Sequence, residues 1–299
     1  MNFKINNWRV LISIIFSVFI FVNCAGKARK PAPKPIGQIS PHFEISLRLA
    51  DSLWANRTNP DNALDALYAY EYLAQKDSTN LPIWSKLVHA YYFYAEYIQA
   101  QNQVRRDSLF GIGYNITREM LKRSKPYQSV MVTAGDPLLA LKSLESPYEQ
   151  ILYWGTACLA QWSATKGEIV QRGQRKWIFA ALNQIHDLDS TFYFGGYDRF
   201  MGALLCVDPA AGQNAPDEAR KYFDVAREIA PDYLGTYILE ARYYAPLVQD
   251  EALFNQLLAT VRTAELDLKK PYGPENYFEK RRCEYLELAA SEKGWFNKQ

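Results

Sequence analysis

Apolar residues recur along most of this chain every three or four positions, the spacing that draws one stripe down an α-helix. Residues 216–230 show it most plainly. Ala219, Tyr222, Phe223, Ala226, Ile229 and Ala230 fall on one side, and Arg220, Lys221, Asp224, Arg227 and Glu228 on the other. Pro216 sits in the first turn with Asp217 and Glu218, where the helix dipole favours negative charge, and Pro231 ends the segment. The same periodicity predicts helices over 43–56, 62–76, 84–101, 107–123, 148–164, 171–186, 251–267 and 275–292, and one more carrying Tyr237, Ala241 and Tyr244. Asp61 is expected to cap the second of them. Residues 124–146 lack a continuous helical pattern outside 138–144 and are expected to form a long connection across the scaffold. No alternating strand pattern competes, so the fold class is all-α.

Ala219, Phe223, Ala226 and Pro231 match the A-x3-F…A…P positions of the second helix of a tetratricopeptide repeat. In the same frame Tyr237, Ala241 and Tyr244 take the first-helix positions of the next unit. A weaker repeat runs from Ala66 and Tyr70 to Trp84, Leu87 and Tyr91, and residues 148–164 and 171–186 form a third pair turning at Gly167. The expectation is a tetratricopeptide-repeat-like array of antiparallel helix pairs, an α-solenoid, ended by the polar-faced helix 275–292.

The first 23 residues belong to a different regime. Lys4 and Arg9 precede the apolar run 10–22, which is short for a bilayer span and suits a secretory signal ending at Cys24. Phe21-Val22-Asn23-Cys24 is similar to a lipobox, with Asn23 and Phe21 departing from the preferred residues. Cys24 is thus the expected lipid attachment point, anchoring the mature chain in a membrane, and Ala25 after it points to the periplasmic face of the outer membrane. Pro31, Pro33, Pro35 and Pro41, with Lys27, Arg29, Lys30 and Lys34, make residues 24–41 an extended, solvated tether ahead of a helical domain at 42–299.

Without residues 1–23 the chain carries 32 basic and 32 acidic residues, since that segment holds two bases and no acid. This balance argues against nucleic acid as a partner. Cys158, Cys206 and Cys283 are widely spaced within helical patterns and read as free buried thiols. His42, His89 and His186 are scattered without metal-ligand spacing, so surface or core roles are expected and no metal or cofactor is implied. Gly195-Gly196 has no strand before it and reads as a turn between helices rather than a phosphate cradle. No nucleophile motif and no convincing carboxylate pair is present, so no enzyme is expected, and an α/α-toroid glycosidase is disfavoured.

What remains is binding. First helices of such arrays line a concave face or channel, which makes Tyr91, Tyr94, Tyr153, Trp154, Tyr197, Tyr243 and Tyr244 candidate lining residues, with repeat packing as the alternative for each. Arg199 could grip a carboxylate in a fork geometry or cap a neighbouring helix, and both remain open.

The run Gly195-Gly196-x-x-Arg199-x-x-Gly202, with Pro209, Leu152-Tyr153-Trp154 upstream and the block 223–245 downstream, resembles the T component of tripartite ATP-independent periplasmic (TRAP) transporters. The likeness extends from about Trp84 to the C-terminus. It implies a periplasmic lipoprotein of degenerate tetratricopeptide repeats that associates with the transporter's solute-binding protein. It further implies a homo-oligomer, a trimer among the options, a through-going pore that passes a hydrophobic or carboxylate ligand, and a structural role for Arg199 in its turn. The competing expectation is a repeat scaffold for envelope assembly with no ligand of its own.

Overall fold

Helix starts in this chain are fixed by short polar side chains that take up backbone N–H groups left without a helical partner. In the computed structural model, which describes residues 46–207 and 215–296, Ser46 caps α1 (Leu47–Ala55) and Asn59 caps α2 (Pro60–Lys76). The cap of α2 is therefore Asn59, not Asp61. Pro60 takes the first helical position and leaves Asp61 in the first turn. Asn80 caps α3 (Leu81–Phe93), and Asn102 caps α4 (Gln103–Leu121). Two short helices follow, α5 (Lys125–Thr133) under Ser124 and α6 (Pro137–Leu141) under Asp136. The sequence pattern hides α5 because only Tyr127 of its nine residues is buried, so no apolar stripe is needed to hold it.

The remaining helices are α7 (Tyr148–Ala164), α8 (Glu168–Leu188), α9 (Phe192–Val207), α10 (Ala215–Ile229), α11 (Leu234–Leu239), α12 (Ala245–Leu247), α13 (Glu251–Thr263) and α14 (Gly273–Glu292). Among the described residues there is no strand. Consecutive helices pack as neighbours: α1 with α2, α3 with α4, α7 with α8, α9 with α10, and α11 with α13. This is the alternating arrangement of an α-solenoid. On α10, Ala219, Phe223 and Ala226 are fully buried against α9, as their spacing predicts.

Helix α7 sits at the centre. Residues 151–159 are buried all round, and α7 packs on α3, α4 and α8 at once. Close approach to α4 depends on missing side chains. A Cβ on Gly155 would lie 2.3 Å from the Thr117 hydroxyl, and one on Gly113 would lie 2.7 Å from Cys158 Sγ. The glycines that interrupt the helical pattern at 111–113 are thus partly explained by packing.

Helix α14 is the departure from a simple array. It packs on α11 and α13, but it also reaches back to the first helices. Phe278 stacks on Tyr97 at 5.3 Å and meets Phe93 edge-on at 5.6 Å. Asn276 binds both the Leu234 N–H and the Asp232 carbonyl, which fixes the start of α11 to α14. The helix expected to be a polar cap buries Glu275, Asn276, Glu279 and Cys283.

Two glycines separate these packing effects from backbone entropy. Gly155→Ala forces the α4–α7 contact apart and is expected to cost about 1–3 kcal/mol. Gly173→Ala in α8, where a Cβ meets nothing within 4 Å, is expected to stabilise by roughly 0.5–1 kcal/mol. Urea unfolding of both variants beside the parent checks the pair.

Candidate functional site

A kink in the first turn of α9 begins the site. Tyr193, Phe194 and Gly195 all have left-handed backbone, at φ of 48°, 59° and 74°. For the two non-glycine residues this costs about 1–2 kcal/mol each. The cost is offset by Arg199, buried one turn further on. It donates to the Phe194 carbonyl (2.8 Å), the Tyr193 carbonyl (2.9 Å) and the Tyr153 hydroxyl (2.9 Å), and its guanidinium lies 4.2 Å from the centre of the Tyr233 ring. Gly196 lets the Tyr153 ring approach, since a Cβ there would lie 2.7 Å from it, and Gly202 does the same for Phe223 at 3.0 Å. Gly195 and Arg199 of the G-G-x-x-R-x-x-G run thus hold the turn that carries Tyr193, Gly196 admits Tyr153 beside it, and Gly202 serves the contact with α10.

The Tyr193 side chain lines a cavity of about 150 Å3 walled by α3, α7, α8, α9, α11, α14 and two single turns of π-helix. The π turns are Tyr94–Ile98, continuing α3, and Glu240–Tyr244, continuing α11. They bring Glu96 and Tyr97, and Arg242 and Tyr243, to the wall. Such one-residue insertions are common where a helix must re-aim side chains at a site. Of the predicted residues, Tyr153, Trp154, Arg199 and Tyr243 line the cavity. Four others are packed elsewhere. Tyr91 turns the other way on α3 and donates to Glu71 (3.3 Å). Tyr197 donates to Asn183 (3.4 Å) and meets Tyr222 edge-on. Tyr244 rests on Phe223 between α9 and the second π turn. Tyr94 is buried and accepts from Gln99. Cys24 lies outside the described residues.

The charged half of the wall was not foreseen. His89 stacks flat on Trp154, with ring centres 3.5 Å apart, and its Nε2 is 3.6 Å from Glu275 Oε1. Tyr193 donates to the same oxygen at 3.1 Å. Arg57, at the end of α1, completes the group with Nη2 2.6 Å from Glu275 Oε2, and it also donates to the Trp54 and Pro271 carbonyls. A second cluster lies beside it. Arg106 and Arg282 hold Glu96 at 2.8 and 2.9 Å, while Tyr97 donates to Glu279 at 2.6 Å. Glu275 and Glu279 are buried, contrary to the polar-faced closing helix that the sequence predicts. The available signal was that they extend, at spacings of four, the stripe continued by Cys283, Leu286 and Ala290.

The electrostatics follow from burial. Burial pushes the Glu275 carboxyl up, but the Arg57 charge and hydrogen bonds from His89 and Arg57 outweigh it and hold the group down to about 2. Burial pushes the His89 imidazole down to about 4, against the opposing pull of Glu275. Glu96 is held below its usual range because its arginines outweigh desolvation, and Glu279 is raised because desolvation prevails. Among the described residues no three His, Cys, Asp or Glu side chains form a metal-holding group. Cys158, Cys206 and Cys283 are free, the first and last buried. No helix of the described residues is long and apolar enough to cross a membrane.

Both depressed groups destabilise the fold in acid. His89 is neutral in the folded chain, so the unfolded chain gains a proton first as pH falls from about 6.5 towards 4. Glu275 contributes fully above an unfolded value near 4.3, and that contribution is lost as pH falls to about 2. Stability is therefore expected to decline continuously from about pH 6.5 downward. Glu275→Gln is expected to flatten the lower part of that curve and to cost about 3–5 kcal/mol at pH 7 by leaving Arg57 buried without its counter-ion. Urea unfolding across a pH series checks both.

Comparison with known proteins places the chain. The family model of the TRAP transporter T-component matches residues 65–293, which contain the whole cavity wall, while Arg57 lies outside the match. No match is found among curated proteins.

Proposed function

The chain belongs to the TRAP transporter T-component family, and from that premise we propose that it is a lipid-anchored accessory that docks the transporter's solute-binding protein and accepts that protein's ligand in the buried cavity. The observation that carries this reading is the cavity itself, a concave space with aromatic walls at Tyr92, Tyr153, Trp154, Tyr193 and Tyr233 and charged groups on one side. Concave, mostly apolar pockets with a few placed polar groups are where small molecules bind. The ligand on this reading has an apolar body that stacks on the aromatic wall, with a polar or acidic group directed towards the arginines.

The proposed role is binding and transfer, without catalysis. Two of the three cavity carboxylates are tied up: Glu275 is ion-paired to Arg57, and Glu96 to two arginines, while Glu279 accepts from Tyr97. Carboxylates so held cannot readily exchange a proton with a substrate near neutral pH, which general acid–base work requires. Attachment through Cys24 at the periplasmic face of the outer membrane, and assembly into an oligomer such as a trimer, belong to the same proposal.

The test is capture of partners by the full chain from a periplasmic extract, with mass spectrometry of what is retained. Stoichiometric recovery of a TRAP-type solute-binding protein is the expected result. Recovery of envelope-assembly proteins alone would overturn this reading in favour of a scaffold.

A further inference from the structure

A second, more open pocket of about 460 Å3 lies beside the first, between the Tyr94–Ile98 π turn and the outer half of α14. Glu96, Tyr97, Arg242 and Arg282 border both pockets and stand at their junction. Along α14 the second pocket is a groove. Phe278, Arg281, Tyr285, Ala289 and Lys293 recur every three or four residues and line it from one helix face. From Phe278 to Lys293 that face runs about 22 Å, at 1.5 Å per residue. A different side of α14, with Cys283 and Ala290, packs on α11 and α13. The groove side is left in solvent: Tyr285 is 57 % exposed, and Leu288, three residues on, is 56 % exposed.

The groove combines apolar patches with one sign of charge. Ile98, Tyr285, Leu286 and Trp295 supply the patches. Arg106, Arg242, Arg281, Arg282 and Lys293 face a single carboxylate, Glu96. In a chain whose basic and acidic residues nearly balance, this excess is local. Arg106 and Arg282 are already committed to Glu96, and Arg282 also reaches Glu279 at 3.5 Å. Arg242, Arg281 and Lys293 are exposed and form no ion pair among the described residues. Arg281 spends one donor on the Tyr277 hydroxyl at 3.2 Å. Unpaired cations on the walls of a groove several turns long suit a ridge with carboxylates on its flanks, and a flat bilayer offers no such ridge. Tyr, Trp and Arg are also the residues that anchor protein interfaces.

We propose that this groove is a docking site for another protein and takes an acidic amphipathic helix. The apolar stripe of that helix lies on Tyr285 and Trp295, and its carboxylates meet Arg242, Arg281 and Lys293, in the helix-in-groove mode. This gives the docking described above a surface. The identity of the protein that supplies the helix rests on that reading, whereas the preference of the groove is measured by itself.

The experiment is fluorescence anisotropy of three labelled, stapled helical peptides with the full chain in non-ionic micelles, protein-free micelles being the blank. The peptides are as long as the groove, about 15 residues at 1.5 Å per residue. They share one leucine stripe and differ only in carrying Glu, Gln or Lys beside it. The Glu peptide is expected to bind at least about ten-fold more tightly than the Gln peptide, and the Lys peptide should not bind. Raising the salt from about 0.05 to about 0.5 M should weaken the Glu peptide several-fold and leave the Gln peptide unchanged. Arg281→Glu combined with Lys293→Glu should abolish the preference for Glu. The melting temperature should stay that of the parent, because both side chains are exposed and make no ion pair. Lys125→Glu, on α5, should change nothing. Tyr285→Ala should weaken the Glu and Gln peptides alike, about five-fold. A photoreactive leucine in the stripe should mark residues of α14 and of the Tyr94–Ile98 turn. Binding that ignores peptide charge, survives charge reversal or is absent for all three peptides would overturn the proposal, as would crosslinks confined to other helices. Displacement of the Glu peptide by phosphatidylglycerol in the micelles would assign the groove to a membrane surface instead. A fall in the sedimentation mass of the chain on charge reversal would assign it to a second copy, and either result overturns the proposal. Capture of a solute-binding protein by the unaltered chain is a separate readout, so the two readings fail separately.

Discussion

The ion pair between Arg57 and Glu275 joins residues 218 apart in sequence and is almost wholly removed from water. A helical array needs only neighbour contacts to stand, and a last helix has no intrinsic reason to return to the first. Here α14 does return, and its anchor is a carboxylate that Arg57 grips with two nitrogens while Tyr193 and His89 face one of its oxygens. A buried pair of this kind adds little net stability relative to apolar residues of the same shape, but losing one partner is expensive. Its effect is to leave α14 one acceptable position. With α14 in that position, Glu275, Glu279 and Arg282 form one wall of the cavity.

The other strained element depends on the same centre. Tyr193 reaches Glu275 only because three successive residues take left-handed backbone, and Arg199 holds that turn by its carbonyls. Arg199 and Arg57 are therefore both buried cations with positional duties, one set by backbone oxygens and the other by a carboxylate. The cations at the junction of the two pockets differ. Arg242 is exposed and forms no ion pair among the described residues.

Much of the scaffold was legible from the sequence because helical periodicity and repeat positions are local signals. The stripe of Ala219, Phe223 and Ala226 is buried where its spacing puts it, while the turn expected at Gly195-Gly196 falls at residues 193–195 within α9. Helix α5 was not legible, because a nine-residue helix with one buried residue needs no stripe. The candidate site was legible in part. Tyr153, Trp154, Arg199 and Tyr243 meet at the cavity, while Tyr91, Tyr197 and Tyr244 sit on similar repeat positions and face neighbouring helices. An aromatic residue on a first helix does not carry the information of which way it turns. Glu275, Glu279 and His89 escaped for another reason: the partners that make burial tolerable, Arg57, Tyr97 and Trp154, lie far away in sequence, so each looked like a surface or core residue when taken alone.

The central claim is that the Arg57 contact holds α14 over the cavity, and amide hydrogen exchange on the full chain tests it most directly. Arg57→Met keeps most of the apolar bulk against Trp54 and Phe93 and removes the charge. The account predicts faster exchange along α14 and in the 193–195 turn, with α7 and α8 as protected as in the parent. Acceleration confined to α1 and α2, with α14 unchanged, would contradict it.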